Sequence, residues 1–167
     1  MKEKEPNKSS ALVKARTTAL QSVPSRLIKR GLEDLSTLSL EETVKRLLDT
    51  DPNDAEGYFY RGLAFHQNGD YDRAIADYSR ALQIDPNFAK AYIDRGLAYY
   101  NRGDYDRAIA DFNQAVRINP SHAAGHLGLG VSYGRKGNIV QARVALMLAR
   151  ELGHPDAQTL LDELPEW

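Results

Sequence analysis

The sequence Gly69-Asp-Tyr-Asp-Arg-Ala-Ile-Ala-Asp77 recurs without change as Gly103-Asp-Tyr-Asp-Arg-Ala-Ile-Ala-Asp111. The stretches before the two copies also match, because Ala55–Ala64 corresponds to Ala89–Ala98 at the same offset of thirty-four residues. A fixed period of this length is typical of an architecture in which helix–turn–helix units stack on one another. We therefore read the chain as a series of helical repeats.

Glycine and proline mark the parts of each unit. Gly62 and Gly96 lie inside helical patterns, where glycine costs about 1 kcal/mol relative to alanine. Such a glycine usually has a packing reason, here the close approach of a neighbouring helix. The Gly-Asp pair at Gly69 indicates the turn between two helices, and Pro86 and Pro120 end the second helix of each unit. One unit cannot bury its own apolar face, so the units must stack.

The residues at fixed offsets resemble those of the tetratricopeptide repeat family, whose pattern contains a large residue, Leu-Gly, Tyr, Ala, an aromatic residue, Ala and Pro. A third, looser copy follows the first two, and the resemblance covers about two-thirds of the chain. It implies an all-α fold, a right-handed α-α superhelix of three repeats with capping helices at both ends. The matching residues are Tyr58, Gly62, Phe65, Ala74, Tyr78, Ala81 and Pro86; Tyr92, Gly96, Tyr99, Ala108, Phe112, Ala115 and Pro120; and His126, Gly130, Tyr133, Ala142, Leu146, Ala149 and Pro155.

The period divides the chain into six segments. A capping box, Ser39-x-x-Glu42, predicts a helix that starts near Leu40, and Asp51-Pro52 is in frame with the later Pro86. We therefore expect a degenerate repeat, which acts as an N-terminal capping pair because end repeats are atypical. The predicted segments are a basic tail at 1–20, the capping pair at 21–54, repeats at 55–88, 89–122 and 123–154, and a capping helix and tail at 155–167 that ends in Trp167.

Charge and composition limit the function classes. The 167 residues include no Cys and no apolar stretch of eighteen residues, so neither disulfides nor a transmembrane helix is expected. Residues 1–30 hold eight of the 22 Lys and Arg residues, which leaves fourteen basic and twenty-one acidic residues in the rest. We read the basic N-terminus as a solvated tail; the alternatives are an organelle-targeting segment and contact with an anionic membrane surface or a partner. The lack of an export signal predicts a cytoplasmic location.

No catalytic chemistry is predicted. The sequence has neither a phosphate-binding glycine-rich motif nor G-x-S-x-G, so we expect a protein without enzyme activity or cofactor. His122 and His126 have a spacing that can hold a metal, but no third ligand is evident and a packing role is favoured for His126. Asp70 and Asp104 are assigned to turns. Nucleic-acid binding is not expected, since the body of the chain is acidic.

Two charged positions repeat at a spacing of sixteen residues: Arg61 with Asp77, and Arg95 with Asp111. We expect each Arg to reach an Asp of its own or the adjoining repeat. A partly buried pair of this kind fixes the register of two helices more than it adds stability.

The resemblance also implies a binding site, because the first helices of this family line the inside of the superhelix and contact a partner peptide. Phe59, Leu63, Ile93, Leu97, Leu127 and Val131 are expected to form a continuous apolar strip there, beside a flat floor at Gly128 and Gly134. Such a strip usually marks an interaction site. The inward positions are Glu56, Phe59, Tyr60, Leu63, His66, Gln67, Lys90, Ile93, Asp94, Leu97, Tyr100, Asn101, Ala124, Leu127, Gly128, Val131, Gly134 and Arg135.

The family members that hold acidic C-terminal tails of chaperones use Lys and Asn at fixed inward positions. Here Phe59, Leu63, Asp94, Ala124 and Gly128 stand there, which excludes that carboxylate clamp. The predicted function is a non-enzymatic adaptor or assembly factor that binds an apolar or amphipathic segment. Alternatively, the strip is covered by the chain's own Leu12–Leu20, by the preceding helices or by a second copy. A second hypothesis is a structural subunit of a larger complex or self-assembly.

Overall fold

The computed structural model describes residues 51–165, and these residues form seven α-helices and no strand. The helices form three antiparallel pairs, each followed by a turn, and a short final helix. We refer to the three pairs as repeats one, two and three. The helices are α1 (Ala55–Gln67) and α2 (Tyr71–Ile84), α3 (Ala89–Asn101) and α4 (Tyr105–Ile118), α5 (Ala123–Arg135) and α6 (Ile139–Glu151), and α7 (Ala157–Asp162).

The turn inside each repeat follows from a glycine and a capping side chain. Gly69 has a φ of 78° and Gly103 a φ of 87°, a left-handed backbone that glycine adopts at no steric cost. The next residue caps the second helix: the Oδ1 atoms of Asp70 and Asp104 accept hydrogen bonds from backbone N–H groups three residues later, at 3.2 Å and 3.3 Å. The Gly-Asp pair thus ends one helix and begins the next.

Each helix packs against the next one along the chain, both within and between repeats. The first helices α1, α3 and α5 also contact one another directly, whereas the second helices meet mainly through the first helices. The three repeats form the all-α superhelix that the sequence predicts. The first helices form its inner side, because the elements that approach one another most closely lie on the inside of a curved stack.

The core consists of small residues that let the helices approach and large rings that fill the remaining space. Ala74, Ala108 and Ala142 are completely buried on the second helices. A Cβ atom added to Gly62 would lie 2.8 Å from the ring of Tyr78, and one added to Gly96 would lie 2.9 Å from the ring of Phe112. These contacts confirm that the glycines allow close helix approach, and they identify the neighbour as the second helix of the same repeat.

Repeat three carries even more glycine, but α5 is continuous over its thirteen residues. A Cβ atom at Gly130 would lie 2.5 Å from Leu146, one at Gly125 would lie 2.7 Å from Val116, and one at Gly128 would lie 2.4 Å from Phe112. Side chains of α4 and α6 therefore occupy the space that α5 leaves open.

The final helix α7 closes the end of the stack against α6. Ala157 and Leu161 are buried in this contact, while Leu160 and Leu164 are half-buried. Its place as a C-terminal capping helix agrees with the apolar stripe in its sequence. The second helix of repeat three remains apolar on its outer face, where Val140, Val144, Met147, Leu148 and Leu152 are between 39% and 55% exposed.

Several predictions fall outside the described residues. They concern the basic tail at 1–20, the capping helix pair at 21–54, of which only residues 51–54 are described, and Trp167. Among residues 51–165, no helix has both the length and the apolar character needed to cross a membrane.

Candidate protein-binding groove

The predicted inward residues lie on the first helices, at positions that recur in α1, α3 and α5. Four apolar members, one or two per repeat, are half-buried on this inner face and are available for contact: Leu63, Leu97, Leu127 and Val131. We call this set the apolar strip. It runs through all three repeats because the first helices contact one another.

Phe59 and Ile93, which were expected to be exposed in this strip, are core residues. Phe59 is 1% exposed and Ile93 is 5% exposed. The ring of Phe59 lies 5.7 Å from that of Tyr78 and 5.0 Å from that of Phe88, measured between ring centroids. The side chain is thus enclosed between repeats one and two, and the prediction of a six-residue exposed strip was wrong for these two positions.

Gly128, which was predicted to form a flat floor of the groove, is not exposed there. Gly128 is buried, and the ring of Phe112 from the preceding repeat fills the space that a side chain would take. This glycine is needed for packing between repeats and does not form a free surface. Gly134 is half-buried, and a Cβ atom there would meet Leu164 at 3.8 Å, an ordinary contact distance. Ala124, the inward position one turn before Gly128, is half-buried.

Polar side chains connect the C-terminal ends of the first helices along the edge of the groove. Asn101 Nδ2 donates to His66 Nε2 at 3.0 Å, and Arg135 Nε donates to Tyr100 Oη at 3.0 Å. Burial lowers the pKa of His66, which agrees with a neutral ring that accepts at Nε2. The exposed Gln67 lies beside this row. Both hydrogen bonds cross from one repeat to the next, so this edge is ordered rather than free.

At the other end of the groove, charged and aromatic side chains stand close together. Tyr60 makes an edge contact with Phe59, with 5.2 Å between ring centroids, and Lys90 Nζ lies 5.2 Å from the centre of the Phe59 ring. Glu56 is half-buried in the first turn of α1. Burial raises the pKa of Asp94 to about 6, and the positive charge of Lys90 partly opposes the rise.

The two predicted Arg–Asp pairs are confirmed, and each pair joins the two helices of one repeat. Arg61 donates two hydrogen bonds of 2.7 Å to the carboxylate of Asp77. Arg95 does the same to Asp111, and its Nη1 also donates to Ser79 of the preceding repeat at 2.9 Å. These residues tie the first helix to the second and do not face the groove.

A further set of ion pairs, which we did not predict, joins consecutive repeats on the outer side. Arg102 pairs with Asp72 at 2.6 Å, and Lys136 pairs with Asp106. The signal was present in the sequence, because in both cases a basic residue follows an acidic one by thirty positions.

The two histidines considered for a metal site make local contacts. His126 Nε2 lies 2.9 Å from the carbonyl oxygen of Pro120; since a carbonyl only accepts, this nitrogen carries the proton and donates. His122 occupies the N-cap position of α5. Within residues 51–165, no group of three or more His, Asp or Glu side chains is arranged to hold a metal ion.

Comparison with known protein families agrees with the fold. Three sequence models, each described as a tetratricopeptide repeat, match residues 41–87, 65–128 and 99–164. Together they span the described repeats without a gap. The chain belongs to the tetratricopeptide repeat family. A comparison with curated proteins gave no significant match.

Solved structures of this family are similar to the chain. The crystal structure of MamA superimposes with a TM-score of 0.65 and 27% identity, over 71% of this chain and 69% of MamA. The second TPR domain of human RPAP3, solved by NMR in complex with the HSP70 peptide SGPTIEEVD, gives 0.65 and 26%, over 68% and 96%. The first TPR of Spaghetti (RPAP3), bound to the HSP90 peptide SRMEEVD, gives 0.65 and 23%, over 68% and 91%, and supports the fold alone.

Proposed function

We propose that this protein is a non-enzymatic interaction module, an adaptor or assembly factor, that binds an apolar or amphipathic segment of a partner protein along the inner face of its first helices. The observation that carries the proposal is the apolar strip, Leu63, Leu97, Leu127 and Val131, which continues through three repeats and is half-buried rather than enclosed. An apolar surface of this kind favours a partner that buries it. The location that we propose is the cytoplasm.

The chemistry of the groove favours an apolar segment over an acidic tail. The RPAP3 domain was solved with a peptide that ends in two Glu, a Val and an Asp, a ligand that requires cations. The positions that supply Lys and Asn to such tails in the family hold Phe59, Leu63, Asp94, Ala124 and Gly128 here. The structure adds that Phe59 and Gly128 are buried. We therefore propose recognition through apolar contact.

A structural subunit of a larger assembly is the second candidate, and a different surface favours it. The outer face of α6 exposes Val140, Val144, Met147 and Leu148, whereas the equivalent positions of repeat two hold Asp106, Ala110, Asn113 and Gln114. A permanent neighbour on this face would explain why repeat three has larger and more apolar residues at these four positions. Such a subunit would self-associate or be poorly soluble when produced alone.

The test of the groove is a pull-down from native cell extract with the tagged wild type and the Leu63→Asp/Leu97→Asp variant, read by mass spectrometry. The matched control is Ala76→Asp/Ala110→Asp, which introduces the same charges at exposed positions of α2 and α4. We expect the partner to be lost only with the groove variant, while circular dichroism shows both variants folded. A partner that both variants retain would contradict the groove as the binding site.

A further inference from the structure

Asp94 is an acidic residue on the inner face of the middle repeat. It is half-buried on α3, and no hydrogen bond or ion pair engages its carboxylate within the described part of the chain. The two buried carboxylates nearby, Asp77 and Asp111, each accept two hydrogen bonds from an arginine. A buried carboxylate that lacks such a partner is costly, so its environment calls for an explanation.

The repeat register shows what lies beneath Asp94. Its equivalent in repeat three is Gly128, where an added Cβ atom would meet the ring of Phe112 in the preceding second helix. Phe112 corresponds in turn to Tyr78, so the side chain of Asp94 begins against Tyr78. The hydroxyl of Tyr78 is buried and has no hydrogen-bond partner among residues 51–165. Burial raises the pKa of Tyr78, and the charges of Asp94 and Asp77 contribute, which supports this proximity.

Among residues 51–165, Lys90 supplies the positive charge that acts on Asp94. On α3 itself, Lys90 lies one turn away, but its Nζ stands over the ring of Phe59. From α2 come Tyr78 and Asp77, and Asp77 is already bonded to Arg61. On α5, which packs against α3, the inward positions Leu127, Gly128 and Val131 carry no charge. On α1, which also contacts α3, Glu56 and Tyr60 supply no positive charge. Within the described part of the chain, the site therefore combines a carboxylate without an ion-pair partner, a hydroxyl without a hydrogen-bond partner and the apolar strip.

We infer that Asp94 selects a partner segment that carries a lysine or arginine among apolar residues, with the basic group bound to the Asp94 carboxylate and the apolar residues on the strip. This inference rests on the proposed function, and it names the charge of the partner. An acidic segment is disfavoured, because a second carboxylate beside Asp94 would be repelled in a site of low polarity. A charge-assisted hydrogen bond to a partly buried carboxylate is among the stronger polar contacts in binding.

The experiment is a selection from a displayed library of random dodecapeptides against the full chain, followed by affinity measurements on matched synthetic peptides. In each selected peptide, the basic residue is replaced by norleucine, which keeps the apolar stem and removes the charge. We expect affinity at pH 7.5 to fall about tenfold or more for the wild type. With Asp94→Asn, the two peptides should bind equally. The control Asp72→Asn, the same change on the outer surface, should behave as the wild type does.

Two further readouts sharpen the test. Lys90→Gln removes the competing cation and should strengthen binding of the basic peptides. Burial raises the pKa of Asp94 to about 6, so we expect a change of pH from 7.5 to 5 to neutralise most of this carboxylate. Binding of the basic peptides should then weaken about tenfold, with no such change for the norleucine peptides.

Each outcome decides the inference. Selected peptides that lose binding with Leu97→Asp but not with Asp94→Asn would support the groove and overturn the role of Asp94. A selection that yields no peptide at all would contradict both. If Asp94 titrates below its ordinary range in the free chain, and Lys14→Gln/Arg16→Gln restores it, the chain's own N-terminal basic residues occupy the site and the assignment to a partner is wrong.

Discussion

Arg95 and Asp111 form a two-bond ion pair between the helices of repeat two, with both N···O distances at 2.7 Å. Burial raises the pKa of Asp111, and the hydrogen bonds from Arg95 oppose the rise. For this carboxylate, the cost of leaving water therefore outweighs the stabilisation that Arg95 supplies. Repeat three supports this view, because its equivalent positions hold Leu129 and Ala145, an apolar pair that is buried.

Replacing Arg95 and Asp111 together by the Leu and Ala of repeat three should leave the free energy of unfolding nearly unchanged. We expect Arg95→Leu or Asp111→Ala alone to lower the free energy of unfolding by about 2–4 kcal/mol, because each leaves a partly buried charge without its partner. The double variant should lie within about 1 kcal/mol of the wild type. Urea unfolding followed by circular dichroism measures all three. Additive losses in the double variant would show that the pair itself stabilises the fold.

Two glycines of α5 should respond to alanine in opposite directions. Gly128→Ala places a Cβ atom 2.4 Å from the ring of Phe112, and we expect a loss of about 1–3 kcal/mol from overpacking. Gly134→Ala meets its nearest neighbour at 3.8 Å and should gain up to about 1 kcal/mol from helix propensity. Thermal or urea unfolding of the two variants, side by side, gives the comparison. Equal effects would mean that packing against Phe112 does not require a glycine.

The free energy of unfolding should depend on pH because of Asp94. Its folded pKa of about 6 lies above the ordinary 3.8, so the folded state binds this proton more tightly than the unfolded state does. The ionised group therefore destabilises the fold above about pH 6, and this cost disappears as the pH falls towards 4. We expect Asp94→Asn to be more stable than the wild type by about 1–3 kcal/mol at pH 7.5.

The difference between the two proteins should shrink to nearly zero at pH 4, since the wild-type carboxyl is then neutral as well. Urea unfolding at pH 7.5, 6, 5 and 4 follows this change, and an NMR titration of the carboxyl group gives its pKa directly. A difference independent of pH would assign the effect of the substitution to shape and not to charge.

The ion pairs on the outer side should contribute little. Arg102 is 36% exposed and Asp72 is 79% exposed at the side chain, so solvent and salt screen their attraction. We expect Arg102→Ala to change the free energy of unfolding by less than about 1 kcal/mol, and by less still in 1 M salt. A larger loss that persists at high salt would indicate that Arg102 acts through its contact with the ring of Tyr99, at 5.4 Å.

The features that repeat were predictable from the sequence. The Gly-Asp turns and the partners of Arg61 and Arg95 recur at one offset, so each copy tests the other. The sequence did not show which of two neighbouring inward residues would be more buried. A first helix contacts both its own second helix and the next repeat. Phe59 and Leu63, one turn apart, therefore differ in exposure although both lie on the inner side.

The role of Gly128 was not predictable for a related reason. A missing side chain can mean an open surface or a position already filled, and only the location of the Phe112 ring distinguishes the two. The isolated charge of Asp94 was equally hidden. The sequence shows an acid one turn after Lys90, an arrangement that favours an ion pair on a free helix, but Lys90 lies over Phe59 instead.

The glycine content of α5 has a consequence for the order in which the chain folds. Four glycines in thirteen residues make this segment a poor helix by itself, by about 3–4 kcal/mol relative to alanine. Its turns acquire their shape from Phe112 and Val116 on one side and from Leu146 on the other. We expect α5 to become helical last, after the helices that pack against it have formed. Its amide protons should therefore exchange with solvent sooner than those of α4. The third repeat is thus held in place by its neighbours rather than by its own helical tendency.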